Sequence, residues 1–113
     1  MDTRTVQRML EKIQAMAETA EHVGTRSAEG MQREPRLSEV SKKQLAPLYR
    51  EHALRLMSLY SDLGARICET VRDEAEDETS RGLVDLFHAN FSAMRDRARE
   101  SLRREFGAES KLD

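Results

Sequence analysis

Three histidines are the side chains in this sequence best suited to bind a metal ion or haem, and each falls in a different predicted helix. They are His22, His52 and His88. Di-iron helical bundles bind their metals through inward glutamates and through Glu-x-x-His motifs on two helices. The nearest match in this chain is Asp85-x-x-His88. We therefore expect three surface or boundary histidines, with no metal and no cofactor, and we keep a metal or haem site in the bundle core as an alternative.

The chain has one cysteine, Cys68, which excludes an internal disulfide framework. Its neighbour Glu69 raises the pKa of a thiol rather than lowering it, so we expect an unreactive side chain that is buried or half-buried. Sequence motifs for phosphate loops, zinc hydrolases and serine nucleophiles are absent. These observations predict a protein that is not an enzyme.

A cluster of arginines near the C-terminus is the strongest candidate for binding an anionic partner. Arg95, Arg99 and Arg103 recur every four residues and so share one helix face, with Arg104 beside them. Acidic residues are interleaved, and no aromatic residue is placed between the arginines to stack on bases. We expect a solvated face of ion pairs, with an acidic partner or nucleic acid as the alternative.

Composition predicts an all-α protein. Of the 113 residues, 35% are charged and only 4% are aromatic, with five glycines and two prolines. Such chains form long exposed helices more readily than sheets. No stretch approaches the ~20 apolar residues that a membrane span needs, and the first residues do not read as a signal peptide. With a single cysteine, this predicts a cytoplasmic protein.

The first helix is predicted over residues 4–31, with Thr3 or Thr5 as its N-cap. Its apolar stripe is bulky at first and consists of small residues after Met16, which favours close approach by another helix. Residues 32–46 are predicted to connect it to the second helix. Within the connector Ser38 and Ser41 both look like N-caps, so a short helical turn and an early helix start both remain open.

The second helix is predicted over residues 47–78, with Pro47 in its first turn. Its apolar arc is wider than the ~100° of an ordinary surface helix, which indicates that two neighbours cover it. One neighbour comes from this chain, and the other is another of its helices or a second copy. The residues expected at an interface with that second copy or a partner protein are Leu56, Leu59, Tyr60, Leu63 and Ile67.

The third helix is predicted over residues 80–106, capped by Thr79 or Ser80 and stopped by Gly107. Residues 108–113 are predicted to be a disordered tail. Three helices of similar length with short connections favour an antiparallel three-helix bundle, which dimerisation could complete.

The sequence as a whole predicts one helical domain that acts in protein–protein interaction and associates as a homodimer. The hairpin of the second and third helices would be acidic at its turn and basic at its other end, which suits a two-fold dimer. Two other hypotheses are open: nucleic-acid binding through the arginine cluster, and an amphipathic protein that coats a lipid or polymer granule.

Overall fold

The computed structural model describes residues 2–107, and these form three long helices. α1 runs over Thr3–Gln32, α2 over Glu39–Val71 and α3 over Glu78–Phe106, with a short 3-10 turn, Arg72–Glu74, after α2. Consecutive helices are antiparallel, and α2 packs against both of the others. The prediction of an all-α three-helix bundle is confirmed.

Each helix begins at a side-chain oxygen that accepts a backbone N–H from the first turn. Asp2 caps α1 and Asp77 caps α3, at 2.8 Å and 2.7 Å from the nitrogens of Thr5 and Ser80. The threonines and serine predicted as caps of these two helices therefore lie inside them instead. A carboxylate just upstream both accepts the N–H and interacts favourably with the positive end of the helix dipole.

The connection between α1 and α2 is much shorter than the predicted 32–46. Ser38 caps α2, and its oxygen accepts the N–H of Ser41 at 3.1 Å. The helix then continues through Pro47, which stands well inside it rather than in its first turn. An interior proline removes one backbone hydrogen bond. Burial of the α2 residues that follow offsets that loss.

The second helix also ends earlier than predicted, at Val71 instead of residue 78. The next residues are mostly acidic, and negative charge is unfavourable at the C-terminal end of a helix. Ala75 is extended and buried, and it carries the chain into the Asp77 cap of α3. At the end of α3, Gly107 adopts a left-handed conformation with φ of 60° and donates its N–H to the carbonyl of Arg103. The predicted tail, 108–113, lies outside the described residues.

The three helices form a flattened layer with α2 in the middle. The molecule measures 58 × 27 × 14 Å along its principal axes. A bundle of three helices packed as a triangle, with the usual 8–10 Å between helix axes, would have two short dimensions of nearly equal size. The unequal dimensions show that α1 and α3 lie largely on opposite sides of α2, so the layer leaves broad surfaces uncovered.

The core is densest where all three helices meet, near the N-terminal ends of α1 and α3. This cluster consists of Val6, Leu10, Ile13, Ala65, Cys68, Val84, Phe87 and Phe91. A smaller cluster at mid-length contains Ala17, Met57, Met94 and Ala98. Beyond it, α1 contacts α2 through small residues. A Cβ added at Gly24 would overlap that of Ala53, so the predicted small-residue stripe is where α2 approaches.

Candidate interaction face

The five α2 residues predicted at an interface share one arc of the helix beside the core, where Ile67 and Tyr60 pack against the two core clusters. At 100° per residue they span an arc of about 100°. Leu59 and Leu63 are 52% and 44% exposed, while Leu56, Tyr60 and Ile67 are partly buried. Both α1 and α3 therefore cover the core side of α2, and this arc is still left open.

The first helix contributes a second apolar row beside this arc. Met16 is 44% exposed and Val23 is 54% exposed. Both follow the apolar period of α1, but the period of a helix does not reveal which part of a wide stripe a neighbour covers. Together the two rows make a surface that we call the α1–α2 face. It consists of Met9, Met16, Ala20, Val23, Tyr49, His52, Leu56, Leu59, Tyr60, Leu63 and Ile67.

Two shallow hollows run along the groove between the helices of the α1–α2 face. One has a volume of about 400 Å³ and is lined by Met16, Val23, Leu56 and Tyr60, among others. The other, of about 220 Å³, continues it toward Tyr49. Both are lined mainly by apolar atoms. Such a groove has the shape and chemistry that accept the side chains of another helix.

Charged residues line both long edges of the α1–α2 face. On α1 these are Arg8, Lys12 and Arg26, all exposed and all within about a quarter-turn of the apolar row. On α2 they form two ion pairs along the helix. Arg55 lies 3.5 Å from Glu51, and Arg66 lies 2.8 Å from Asp62. The apolar face is therefore bounded by polar rims of mixed sign, which is the usual anatomy of an interface between proteins.

Two arginines of the α3 cluster bind the same carboxylate of α2. Arg95 contacts Asp62 at 3.2 Å and Arg99 does so at 3.7 Å, while Arg66 binds the same carboxylate from within α2. Partial burial raises the pKa of Asp62. Hydrogen bonds from Arg66 and Arg95 outweigh that effect, so the pKa stays below its ordinary value. This cluster joins α2 to α3.

The other two arginines of the predicted cluster do not join this group. Arg103 pairs with Glu100 one turn back on its own helix. Arg104 is exposed and lies 100° further round α3. The structure thus brings Arg95 and Arg99 together and separates Arg103 and Arg104 from them.

The three histidines and Cys68 do not come together in one site. His88 lies 3.1 Å from Glu69, whereas His22 and His52 are exposed on α1 and α2. Within residues 2–107, no three His, Cys, Asp or Glu side chains are placed to hold a metal ion. Cys68 is buried, and burial, with the charges of Glu69 and Asp85, raises its pKa to about 11. Of the helices described, none has the length and apolarity that crossing a membrane requires.

No protein-family model, curated protein or solved structure matches this chain.

Proposed function

We propose that this chain is a non-enzymatic helical interaction module that associates with a second copy of itself through the α1–α2 face. The observation that carries the proposal is an uncharged apolar surface two helices wide, on which large side chains such as Val23, Leu59 and Leu63 are half exposed. Contiguous apolar surface of this kind on a protein commonly marks an interaction site.

The size of the α1–α2 face suits a dimer. From Tyr49 to Ile67 it is about 27 Å long at 1.5 Å per residue. Two helices side by side make it roughly 20 Å wide. Side-chain ridges add to this projected area, which brings the face toward the ~800 Å² that each partner buries in a standard interface. A second copy would present the same area in return.

The charge distribution along the molecule also favours a second copy as the partner. One end carries a run of acidic residues around the turn from α2 to α3, including Asp73, Glu74 and Glu76. The opposite end carries Lys43 and Arg104, with further basic residues on α2 and α3. Two copies laid head to tail would place unlike ends together, and such complementarity supports association and specificity.

Sedimentation equilibrium over micromolar concentrations tests the proposal. The wild-type chain is expected to approach twice its 13.0 kDa mass. Leu59→Glu should shift the equilibrium to the monomer, because it places a charge in the centre of the apolar face. Leu86→Glu is the matched control, since Leu86 is also an exposed leucine but lies on α3. A wild-type chain that stays at 13.0 kDa throughout contradicts self-association.

A lipid or granule surface is the competing occupant of the same face. Co-sedimentation with vesicles of neutral and of partly anionic phospholipid distinguishes it from a second copy. We expect the protein to stay in the supernatant. Binding to vesicles that is lost in Leu59→Glu, together with a monomeric protein in solution, would replace the proposal by surface coating.

Nucleic-acid binding receives less support from the structure than from the sequence. Arg95 and Arg99 are engaged with Asp62, and Arg103 is engaged with Glu100. Arginines held in this way offer fewer contacts to phosphates, which supply most of the affinity for nucleic acid.

A further inference from the structure

The open side of α2 carries larger side chains than the side that packs in the core. Over the last three turns of the helix the buried residues are all small, namely Ser58, Ser61, Gly64, Ala65 and Cys68. On the open side of the same turns, Leu59 and Leu63 are 52% and 44% exposed. A helix covered only by its own chain would bury its largest apolar side chains. The distribution is the one expected if a partner covers the open side.

The exposed apolar residues of α2 follow the spacing of a coiled-coil seam. Their steps alternate between four and three residues, and we call the row the α2 seam; it consists of Leu45, Tyr49, His52, Leu56, Leu59 and Leu63. A repeat of 3.5 residues keeps one row of side chains against a partner helix over several turns. Arg66 takes the next position and ends the apolar row. His52, which is exposed in the single chain, is the one titratable group inside the row that changes charge near neutral pH.

The surroundings of His52 offer no free carboxylate to a protonated ring. His52 borders the smaller of the two hollows, whose α1 lining consists of Ala20, Val23, Gly24 and Ser27, with the rest from α2. None of these four residues is charged. The contact of Gly24 with Ala53 places Arg26, another cation, at about the same level on the α1 edge. On α2 the neighbouring carboxylate, Glu51, is already paired with Arg55 at 3.5 Å.

The other ionisable groups of the α1–α2 face and its edges keep their charge in mild acid. Tyr49 and Tyr60 stay neutral, because tyrosine loses its proton only near pH 10. Arg8, Lys12 and Arg26 at the α1 edge stay protonated. Histidine, in contrast, ordinarily gains a proton as the pH falls from about 7.5 to about 5.5. Any isologous dimer formed through the face buries His52 of both copies.

We infer, on the basis of the proposed self-association, that His52 makes the dimer sensitive to acid: the seam accepts the neutral imidazole, and protonation of the ring separates the two copies. An imidazolium that is removed from water without an opposite charge costs free energy, and this cost arises twice per dimer. The monomer, in which His52 is exposed, accepts the proton without that cost. Acid therefore shifts the equilibrium toward the monomer by mass action.

Sedimentation equilibrium at pH 7.5 and pH 5.5, at one ionic strength, tests the inference. The dissociation constant of the wild-type dimer is expected to rise about tenfold or more at pH 5.5, because two histidines gain a proton. His52→Gln should keep its dissociation constant within about twofold, since glutamine is polar but does not titrate. The double variant His22→Gln/His88→Gln is the matched control. It removes the two histidines that lie outside the face and should retain the pH dependence of wild type.

Circular dichroism at 222 nm at both pH values checks that the helices stay folded. Acid unfolding would weaken the dimers of wild type and His52→Gln alike, and that result overturns the inference. So does a wild-type dimer that is unchanged at pH 5.5, or one that becomes tighter because a carboxylate of the second copy faces the ring. None of these results contradicts self-association itself. A wild-type chain that is monomeric at both pH values contradicts both proposals.

Discussion

At the scale of single residues, neighbouring helices determine what each reactive group can do. Asp62 and Arg66 would form an ordinary surface ion pair on an isolated helix. In the fold, Arg95 and Arg99 reach the same carboxylate from α3. These two arginines, which the sequence offered as nucleic-acid contacts, therefore connect α3 to α2. Cys68 is likewise enclosed by α1 and α3 rather than placed at a reactive site.

Cys68 is expected to make stability depend on alkaline pH. Burial, then the charges of Glu69 and Asp85, raise the pKa of the folded thiol from 9.0 to about 11. From pH 9.0 upward the unfolded chain releases this proton and the folded chain retains it, so the free energy of unfolding falls. Below pH 9.0 both forms keep the proton and this effect vanishes.

Urea unfolding between pH 8 and pH 11 checks this expectation. The wild-type midpoint should fall more steeply above pH 9.0 than that of Cys68→Ala, because the tyrosines and lysines are common to both chains and only the thiol differs. Parallel curves for the two proteins would show that the thiol is not responsible.

At the scale of the elements, two glycines set how closely the helices approach. Gly24 lets α1 contact α2 at Ala53, and Gly64 lets the ring of Phe91 on α3 lie against the backbone of α2. Each glycine lowers helix propensity by about 1 kcal/mol relative to alanine. The packing that it permits outweighs that cost.

Gly64→Ala is expected to destabilise the protein. The added Cβ would lie 2.6 Å from the ring of Phe91, which is fully buried and has little room to move. Overpacking of a core costs about 1–3 kcal/mol, which exceeds the gain in helix propensity. Gly82→Ala in α3 is the control, because apart from the adjoining backbone of α3 nothing lies within 4 Å of its added Cβ. It should stabilise the protein by about 0.5–1 kcal/mol. Equal urea midpoints for the two variants would contradict the argument.

At the scale of the whole molecule, the flattened layer separates the surface into regions of different character. The α1–α2 face is apolar. The groove between α2 and α3 instead holds ion pairs such as Arg72–Asp85 and Arg95–Asp62. A layer 14 Å thick cannot bury both sides of its central helix with its own two neighbours. The proposed self-association would supply a cover for the open side of α2.

If the folded chain is a dimer, its thermal stability must depend on protein concentration. A tenfold increase in concentration is expected to raise the melting midpoint by about 2–4 °C, because mass action favours the associated folded state. Leu59→Glu should show no such dependence. Circular dichroism at 222 nm at several concentrations measures the effect. A wild-type midpoint that does not change with concentration would argue for a self-sufficient monomer.

The sequence by itself determined the fold class, because apolar residues that recur every three or four positions can be buried only by helices. It also placed Leu56, Leu59, Tyr60, Leu63 and Ile67 on one arc of α2, and their role at an interface stays a prediction. The bounds of α2 were wrong at both ends. Pro47 disfavours a helix interior, and the acidic residues after Val71 disfavour a helix C-terminus. Whether the helix continues through such residues depends on how much apolar surface the neighbouring helices bury there.

Only the tertiary structure decided which part of each apolar stripe remains exposed. A helical period places Met16 and Val23 on the apolar stripe of α1 and Leu59 on that of α2, but it does not say how far each helix is rotated toward its partners. That rotation is set by close contacts such as Gly24 with Ala53. The same contact fixes the alignment of α1 with α2 along their length. Neither helix contains this alignment alone, because it depends on the register between two segments of the chain that meet only when it folds.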